Sequence, residues 1–188
     1  MARLDRLPPG QRLREDWPIL HYGEVQDTVL PEWRFRITGL VDQKKELTHD
    51  EFSALPRTEV LSDIHCVTGW SKFDNLWEGV GTQVIKDLVK ITGDARFVII
   101  HAAGGFTTNL PIDEFFKEDC LFASRHNGEI MDIEHGYPLR LVVPALYFWK
   151  SAKWVTGVEF IAKNAPGFWE RNGYHNHGDP WKEERYSR

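Results

Sequence analysis

The chain has 188 residues, of which 41% are hydrophobic and 27% are charged, and its formal net charge is −5 at pH 7. These values predict one globular domain with a sizeable core, and they exclude the global positive field that draws a protein to nucleic acid or to anionic membranes. Cys66 and Cys120 are too few for a disulfide framework, and the apolar runs are short, which indicates a cytoplasmic protein with no membrane span.

The N-terminal part of the chain begins with a proline-bearing stretch. Residues 1–18 contain Pro8, Pro9 and Pro18, which predicts an extended arm laid over the domain. A strand is predicted next at 33–40, because bulky and charged residues alternate there. Residues 48–56 begin with Thr48, carry Glu51 three positions later and end at Pro56, which is the pattern of a short helix opened by a capping box.

Strands and short helices then alternate through the middle of the chain. A strand at 58–67 leads into a cysteine-containing turn, and Thr82 is predicted to cap a helix over 82–91. The buried strand predicted at 95–105 ends in a glycine pair, and a proline starts a short helix at 111–116. Further strands are predicted at 139–144 and 155–161.

The last segment, 164–188, is polar and irregular but rich in aromatic side chains that can fix it to the domain. These aromatic residues are Phe168, Trp169, Tyr174 and Trp181. No repeat or linker divides the chain. The predicted fold class is therefore α+β, mixed and strand-rich with short helices, in a single domain over 1–188.

Cys66 is the first candidate for chemistry. His65 is a poor general base for it, because adjacent residues of a strand point to opposite faces. A thiol hydrolase would need a distant histidine such as His21, His101 or His135. The simplest alternative is that Cys66 is a small buried hydrophobic residue.

Two further kinds of site are weaker on sequence grounds. His175 and His177 could join a cysteine in a zinc site, but no C-x-x-C pair anchors one. "HAAGGF" matches no phosphate-binding glycine pattern, so Gly104 and Gly105 are predicted to form a turn.

A local anion site is the sharper hypothesis. Arg140 and Lys153 lie close in sequence beside segments predicted to be buried strands or turns. Arginine suits bidentate contact and lysine supplies a point charge, so the pair could hold an anion in a protein that is acidic overall. Ordinary solvated cations are the alternative.

Three ordered motifs carry a resemblance. "HCVTGWS", "GGFTTNLP" and "HGYPLRLVVP" followed by "WKSAKWV" resemble the sulfite oxidase family of molybdopterin enzymes, in particular its small stand-alone cytoplasmic members. The likeness runs from about His21 to the C-terminus. It implies a sulfite-oxidase-type molybdopterin-binding fold and an enzyme that uses molybdenum held by molybdopterin.

The resemblance also implies roles for individual residues. Cys66 matches the protein thiolate that binds molybdenum and is thereby the catalytic residue, and a soft anionic sulfur suits a thiophilic metal. The residues that match the cofactor-binding positions of the family are His21, Tyr22, Cys66, Thr68, His101, His135, Arg140, Ser151, Ala152 and Lys153. The phosphate and ring edge of the pterin need such polar and cationic partners.

The chain departs from sulfite oxidases proper at two places. Those enzymes carry arginines shortly after the cysteine and before the position of His21, whereas this chain has Ser71 and Ile19 there. Without these arginines, a sulfite anion would lose much of the electrostatic attraction that binds it to the site. Aromatic residues are predicted to line the mouth instead, namely Tyr22, Trp70, Trp77, Phe106 and Tyr147, although Arg171 or Lys182 of the last segment could fold over and restore an anion site.

The resemblance therefore predicts a mononuclear molybdenum oxidoreductase. It would perform oxygen-atom transfer on a small oxo substrate and exchange electrons with a separate electron-transfer protein or reductase. Two alternatives stay open from sequence: a non-catalytic module that binds molybdopterin or another anion, and a cysteine-dependent hydrolase.

Overall fold

The structure, a computed structural model, describes residues 5–187, and the predictions that fall on residues 1–4 and 188 lie outside this range. The strands are β1 (Arg12–Leu13), β2 (Arg34–Gly39), β3 (Lys45–Thr48), β4 (Arg57–His65), β5 (Trp70–Gly81), β6 (Phe97–Ala102), β7 (Thr107–Pro111), β8 (Leu121–His126), β9 (Glu129–Ile130), β10 (Arg140–Val142) and β11 (Val155–Ile161). The α-helices are α1 (His49–Ser53), α2 (Ile85–Leu88), α3 (Ile112–Phe115) and α4 (Phe168–Arg171). Short 3₁₀ turns complete the regular structure.

The strands form two sheets. One has the order β1-β5-β8-β10, with β4 also paired to β5 and β9 to β8. The other has the order β3-β2-β11-β6-β7. Most neighbours are antiparallel, but β1 runs parallel to β5, and β11 runs parallel to β2. The strand-rich mixed fold predicted from sequence is confirmed.

The main core lies between the two sheets. Phe35 of β2 and Val158 of β11 meet Phe122 of β8 and Leu141 of β10 there. A second apolar cluster covers the opposite face of the six-stranded sheet, so neighbouring residues of one strand serve different cores: Phe122 faces the first, and Leu121 the second. This alternation is the period of two expected when a sheet is buried on both faces.

Local predictions are confirmed where a short pattern decides the structure. Thr48 Oγ1 accepts a hydrogen bond from Glu51 N, and Glu51 Oε2 accepts one from Thr48 N, so the capping box of α1 is present. Gly104 and Gly105 both have positive φ and form a turn after β6.

Two local predictions are wrong. The helix predicted over 82–91 is a 3₁₀ turn followed by one turn of α-helix, and Gly81 rather than Thr82 is its N-terminal cap. The Thr82 hydroxyl donates instead to Phe115 O at 2.6 Å, because the residue is fully buried and its hydroxyl needs an internal partner. Trp181 does not fix the last segment, since its side chain is 51% exposed.

The two ends of the described chain close over the second apolar cluster. The N-terminal arm adds β1 to the edge of β5 and inserts Trp17, while the last segment packs Trp169 and Tyr174 against the same cluster. Within residues 5–187 we find no helix that is both long enough and apolar enough to cross a membrane.

Candidate active site

A cavity of about 540 Å³ lies where these two ends meet the six-stranded sheet. Cavities that bury small organic ligands in proteins span roughly 300–1,000 Å³, so this one can hold a cofactor. Its aromatic wall consists of Trp17, Tyr22, Trp70, Phe106, Phe148, Trp149, Trp154, Phe168, Trp169 and Tyr174. Its polar and small side chains include His21, Glu24, Gln26, Cys66, Thr68, Arg140, Ser151, Ala152 and Lys153.

Cys66 reaches the cavity from a tight turn between β4 and β5. Cys66 N donates to Trp70 O at 2.8 Å, and Gly69 N donates to Cys66 O at 3.0 Å. The sulfur lies 3.1 Å from Thr68 Oγ1. A turn between two paired strands fixes the sulfur while leaving its cavity side open to a ligand.

The thiol of Cys66 is not that of an activated nucleophile. Burial raises its pKa, which the hydrogen bond with Thr68 and the charge of Arg185 only partly offset. His65 Nδ1 is bonded to Ser71 Oγ at 2.8 Å, and burial lowers the pKa of His65 to about 4. A cysteine hydrolase needs a thiolate beside a base, and this arrangement does not supply one.

Arg140 is a buried cation on the cavity wall. Its side chain is fully buried, and it donates to His135 O at 2.6 Å and to Ser151 O at 2.8 Å. Phe148 faces the guanidinium at 4.2 Å from the ring centroid. Burial lowers the pKa of Arg140 to about 9, and the charge of Asp132 opposes this only in part. The surrounding groups therefore do not fully compensate the guanidinium charge.

Lys153 is the second cation of the cavity. Its Nζ donates to Leu20 O at 2.8 Å and to Glu134 O at 2.6 Å. Burial and, to a smaller extent, the neighbouring charge of Arg140 lower the pKa of Lys153 to about 7. Both cations are buried in one cavity, and an anion that binds beside them would stabilise the charged form of each.

The residues present fit a molybdenum cofactor with a phosphate group. Arg140 Nε is buried and has no hydrogen-bond partner among residues 5–187, so one donor remains for a ligand. A soft sulfur donor, two undercompensated cations and aromatic walls occur in one cavity. This donor set matches a thiophilic metal carried by an anionic heterocycle.

The remaining walls come from distant parts of the chain. On the N-terminal side, His21 Nδ1 lies 2.9 Å from Gly23 O, and the ring of Tyr22 packs on Phe168 at 4.6 Å between centroids. On the C-terminal side, Trp169 and Tyr174 are stacked at 4.8 Å. The cavity therefore depends on both ends of the described chain.

The structure brings most of the predicted site residues together, but two lie elsewhere. His135 stacks on the outer face of Trp17 at 3.9 Å and bonds to Asp132, so it supports the wall without lining the cavity. His101 lies on β6 with its Nε2 2.9 Å from Glu159 Oε2, also outside the lining.

The predicted aromatic mouth is correct in part. Tyr22, Trp70 and Phe106 line the cavity, whereas Trp77 and Tyr147 are fully buried in the second apolar cluster. No local pattern predicts that Trp17, Phe148 or Trp149 lines the cavity, because these residues reach it only through long-range packing.

The H-x-H pair of the last segment does not meet either cysteine. His177 Nδ1 bonds to Glu184 Oε2 at 2.9 Å, and His175 Nδ1 accepts backbone bonds from His177 and Gly178. The part of the chain from residue 5 to residue 187 contains no cluster of three or more histidine, cysteine or acidic side chains that could hold a metal ion.

Comparison with known proteins decides the family. The sequence profile described as the oxidoreductase molybdopterin-binding domain matches residues 22–169. The chain belongs to this family. It is also 49% identical over 185 residues to the uncharacterized oxidoreductase YuiH of Bacillus subtilis, an alignment that covers 97% of this chain and 92% of the relative.

More distant members of the molybdopterin-binding oxidoreductase family are longer. Sulfite oxidase of Arabidopsis thaliana is 24% identical, over 77% of this chain and 46% of the relative. The protein-methionine-sulfoxide reductase catalytic subunit MsrP of Campylobacter jejuni is 26% identical, over 73% and 52%. The chain thus spans about half the length of these two relatives.

A solved structure confirms the fold. The sulfane dehydrogenase SoxCD of Paracoccus pantotrophus superposes with a TM-score of 0.71 at 21% identity, over 81% of this chain and 43% of that one. The chain is therefore a molybdopterin-dependent oxidoreductase with the sulfite-oxidase-type fold. The cofactor of this family is molybdenum bound to molybdopterin.

Proposed function

We propose that this chain transfers an oxygen atom to or from a small neutral oxo compound, such as a sulfoxide or an N-oxide, with Cys66 as the protein ligand to molybdenum. One observation carries the proposal: a single cavity holds the Cys66 sulfur together with the buried cations Arg140 and Lys153. When bound, the cofactor supplies two-electron oxygen-atom chemistry between molybdenum oxidation states VI and IV.

Different side chains of the cavity have different roles in holding the cofactor. Arg140 and Lys153 compensate the negative charge of the cofactor, and Ser151 stabilises this wall because its hydroxyl accepts from Val143 N at 3.0 Å and its carbonyl accepts from Arg140. Thr68 holds the sulfur from its other side. His21 and Tyr22 close the cavity from the N-terminal wall.

The charge around the cavity favours a neutral substrate. Arg140 and Lys153 are its only lysine or arginine side chains among the described residues, and the proposal commits both to the cofactor. Glu24 adds a carboxylate to the lining. A small anion would lose its hydration in such a site without gaining a cationic partner. A neutral oxo compound loses less hydration free energy on entry.

The cations of the last segment do not change this balance. Arg171 Nη1 donates to Pro166 O, and Lys182 Nζ pairs with Asp179. Neither side chain lines the cavity. The alternative that these cations restore an anion site therefore has no support in the structure.

We infer that electrons reach the site from a separate redox protein in the cytoplasm. The sequence carries no attachment motif for haem, flavin or an iron–sulfur cluster. The name of the Campylobacter relative describes a catalytic subunit, which is consistent with division of catalysis and electron supply between chains.

The Cys66→Ser substitution tests the ligand assignment. The variant is expected to fold, because the change is small, but to lose redox activity and the thiolate contribution to the molybdenum X-ray absorption spectrum. Cys120→Ser is the matched control, since Cys120 is buried, its pKa is raised to about 12 and its Sγ donates to Glu114 O. An active Cys66→Ser enzyme with an unchanged spectrum contradicts the assignment.

Steady-state assays test the substrate class. With a reduced dye as electron donor, we expect turnover of a neutral sulfoxide or N-oxide and poor oxidation of sulfite. Sulfite oxidation with kcat/KM of about 10⁴ M⁻¹s⁻¹ or more, in the range of natural substrates, would overturn the neutral-substrate proposal. A protein that retains pterin and molybdenum but turns over neither class is instead a binding module.

A further inference from the structure

The turn that carries Cys66 is held from outside the cavity by both ends of the described chain. Arg12 N donates to Gly69 O at 2.9 Å, and Gln11 Nε2 donates to Cys66 O at 3.1 Å. Arg185 Nη1 donates to Val67 O at 2.6 Å. Three of the carbonyl groups between Cys66 and Gly69 thus receive donors from residues far away in sequence.

Contacts with three other residues hold the Arg185 side chain in this position. Its guanidinium faces the ring of Tyr147 at 5.0 Å, and its second amino group donates to Pro9 O at 3.3 Å. Gly10, with φ of +69°, makes room for it, because a Cβ there would lie 2.9 Å from Arg185 Nη2. A larger residue at position 10 would displace the guanidinium as well as strain the backbone.

The contact with Val67 is the only one of these three that has a charged donor. Val67 follows Cys66 directly, and its carbonyl lies in the same peptide plane as the next amide of the turn. A charged donor on that carbonyl fixes the plane more firmly than a neutral one would. The direction of the Cys66 side chain depends on the turn, so a fixed turn gives a fixed sulfur.

We propose that Arg185 is a positioning residue, which sets the orientation of the Cys66 sulfur toward the metal by holding the Val67 carbonyl. Arg185 does not line the cavity. It acts through the turn, and its charge in addition lowers the pKa of the Cys66 thiol. The inference rests on the proposed function, because it takes Cys66 as the metal ligand. Arg185 would thereby give the last segment a role in the metal centre that is separate from lining the cavity.

The test compares Arg185→Met with Arg185→Lys, which keeps the charge and can still reach a carbonyl. In cofactor-free protein, amide exchange in residues 66–70 should rise about tenfold or more in Arg185→Met, with strands β8 and β11 unchanged. In the loaded enzyme, the g-values of the Mo(V) electron paramagnetic resonance signal should shift in Arg185→Met and return to the parent values in Arg185→Lys. Arg171→Met is the matched control, since Arg171 belongs to the same segment but donates to Pro166 O.

The outcomes separate this inference from the assignment of Cys66. Parent-like exchange and a parent-like Mo(V) signal in Arg185→Met overturn the inference. If Cys66→Ser, measured in parallel, also leaves the signal unchanged, the ligand assignment fails first. If Arg185→Met does not fold, Arg185→Leu, which likewise removes both the charge and the donor, is measured by the same two readouts and decides in the same way.

Discussion

Arg140 and Lys153 are the two residues to which the proposed function assigns the charge of the cofactor. Both bond to backbone carbonyls, which are weaker partners for a buried cation than a carboxylate or phosphate. Their lowered pKa values record the resulting cost. The protein maintains two poorly compensated charges in its free state, and an anionic cofactor removes this cost on binding.

Replacement of either cation by methionine should separate cofactor retention from stability. Arg140→Met and Lys153→Met should each lower cofactor affinity about ten- to a hundredfold, since each removes charge-assisted hydrogen bonds to the cofactor. The cofactor-free variants should be at least as stable as the parent, because methionine removes a buried charge but preserves volume. Molybdenum and pterin content and the denaturant midpoint measure the two effects.

Lys163→Met provides the control for this pair, because Lys163 is exposed. It should change neither quantity. Full cofactor content in both Arg140→Met and Lys153→Met would show that the anion site lies elsewhere.

At the scale of elements, a buried ion pair joins α4 to the 3₁₀ turn Phe148–Lys150. Lys150 Nζ lies 2.6 Å from Glu170 Oε1, and both side chains are 1% exposed. The same carboxylate accepts from Trp149 Nε1 at 2.9 Å. Because Trp149 lines the cavity, the ion pair fixes one of its walls.

Glu170→Gln should therefore be strongly destabilising. It leaves the Lys150 ammonium buried without its counter-charge, and breaking a buried pair in this way costs about 3–5 kcal/mol. Urea denaturation should show the lower free energy of unfolding. The tryptophan fluorescence of the protein should also change, because Trp149 bonds to the same carboxylate. Glu46→Gln, which breaks the exposed pair with Arg36, should cost about 1 kcal/mol or less. Equal losses in the two variants would contradict this account.

The longest strand that sequence reasoning missed has a clear physical reason. β5, of twelve residues, was predicted only as the turn after the preceding strand. Its buried face carries Ser71, Asn75 and Gly79 among aromatic residues, so apolar alternation is hidden. The fold satisfies these polar groups internally: Ser71 bonds to His65, and Asn75 donates to backbone carbonyls. Such partners cannot be deduced before the strand pairing is known.

The grouping of three predicted site residues in one cavity agrees with the sequence analysis, and their roles stay a prediction. Cys66, Arg140 and Lys153 were identified from local motifs, and the cavity contains all three. Its aromatic lining was not, because Trp17 and Trp169 reach the cavity through contacts separated by most of the chain. Local patterns encode donors and charges, but the shape of a cavity is a property of tertiary packing.

For the whole molecule, the aromatic cluster under the N-terminal arm makes stability depend on pH. His126 packs between Trp17 and Trp77, and burial lowers its pKa to about 4 from an ordinary 6.5. The charges of Lys72, Arg140 and His135 contribute to this lowering, and Asp132 opposes them. The fold therefore holds His126 neutral in a range where the unfolded chain would protonate it.

Stability should thus fall as pH decreases from about 6.5 to about 4, at no more than about 1.4 kcal/mol per pH unit from this histidine. Above pH 6.5 both states are neutral at His126, so it contributes no pH dependence there. Urea midpoints at pH 7 and pH 5 measure the slope, and His126→Gln should make it shallower but not abolish it, because buried His65 has a similarly lowered pKa. An equally steep slope in the variant would assign the acid sensitivity to other groups.

The convergence of distant segments on one cavity also orders events during protein synthesis. Trp17 is translated long before Trp169 and Tyr174. The nascent chain therefore contains only part of the cavity wall until translation is nearly complete. A nascent chain can expose Cys66 but cannot yet enclose a ligand. The complete enclosure of a ligand therefore requires translation through residue 174.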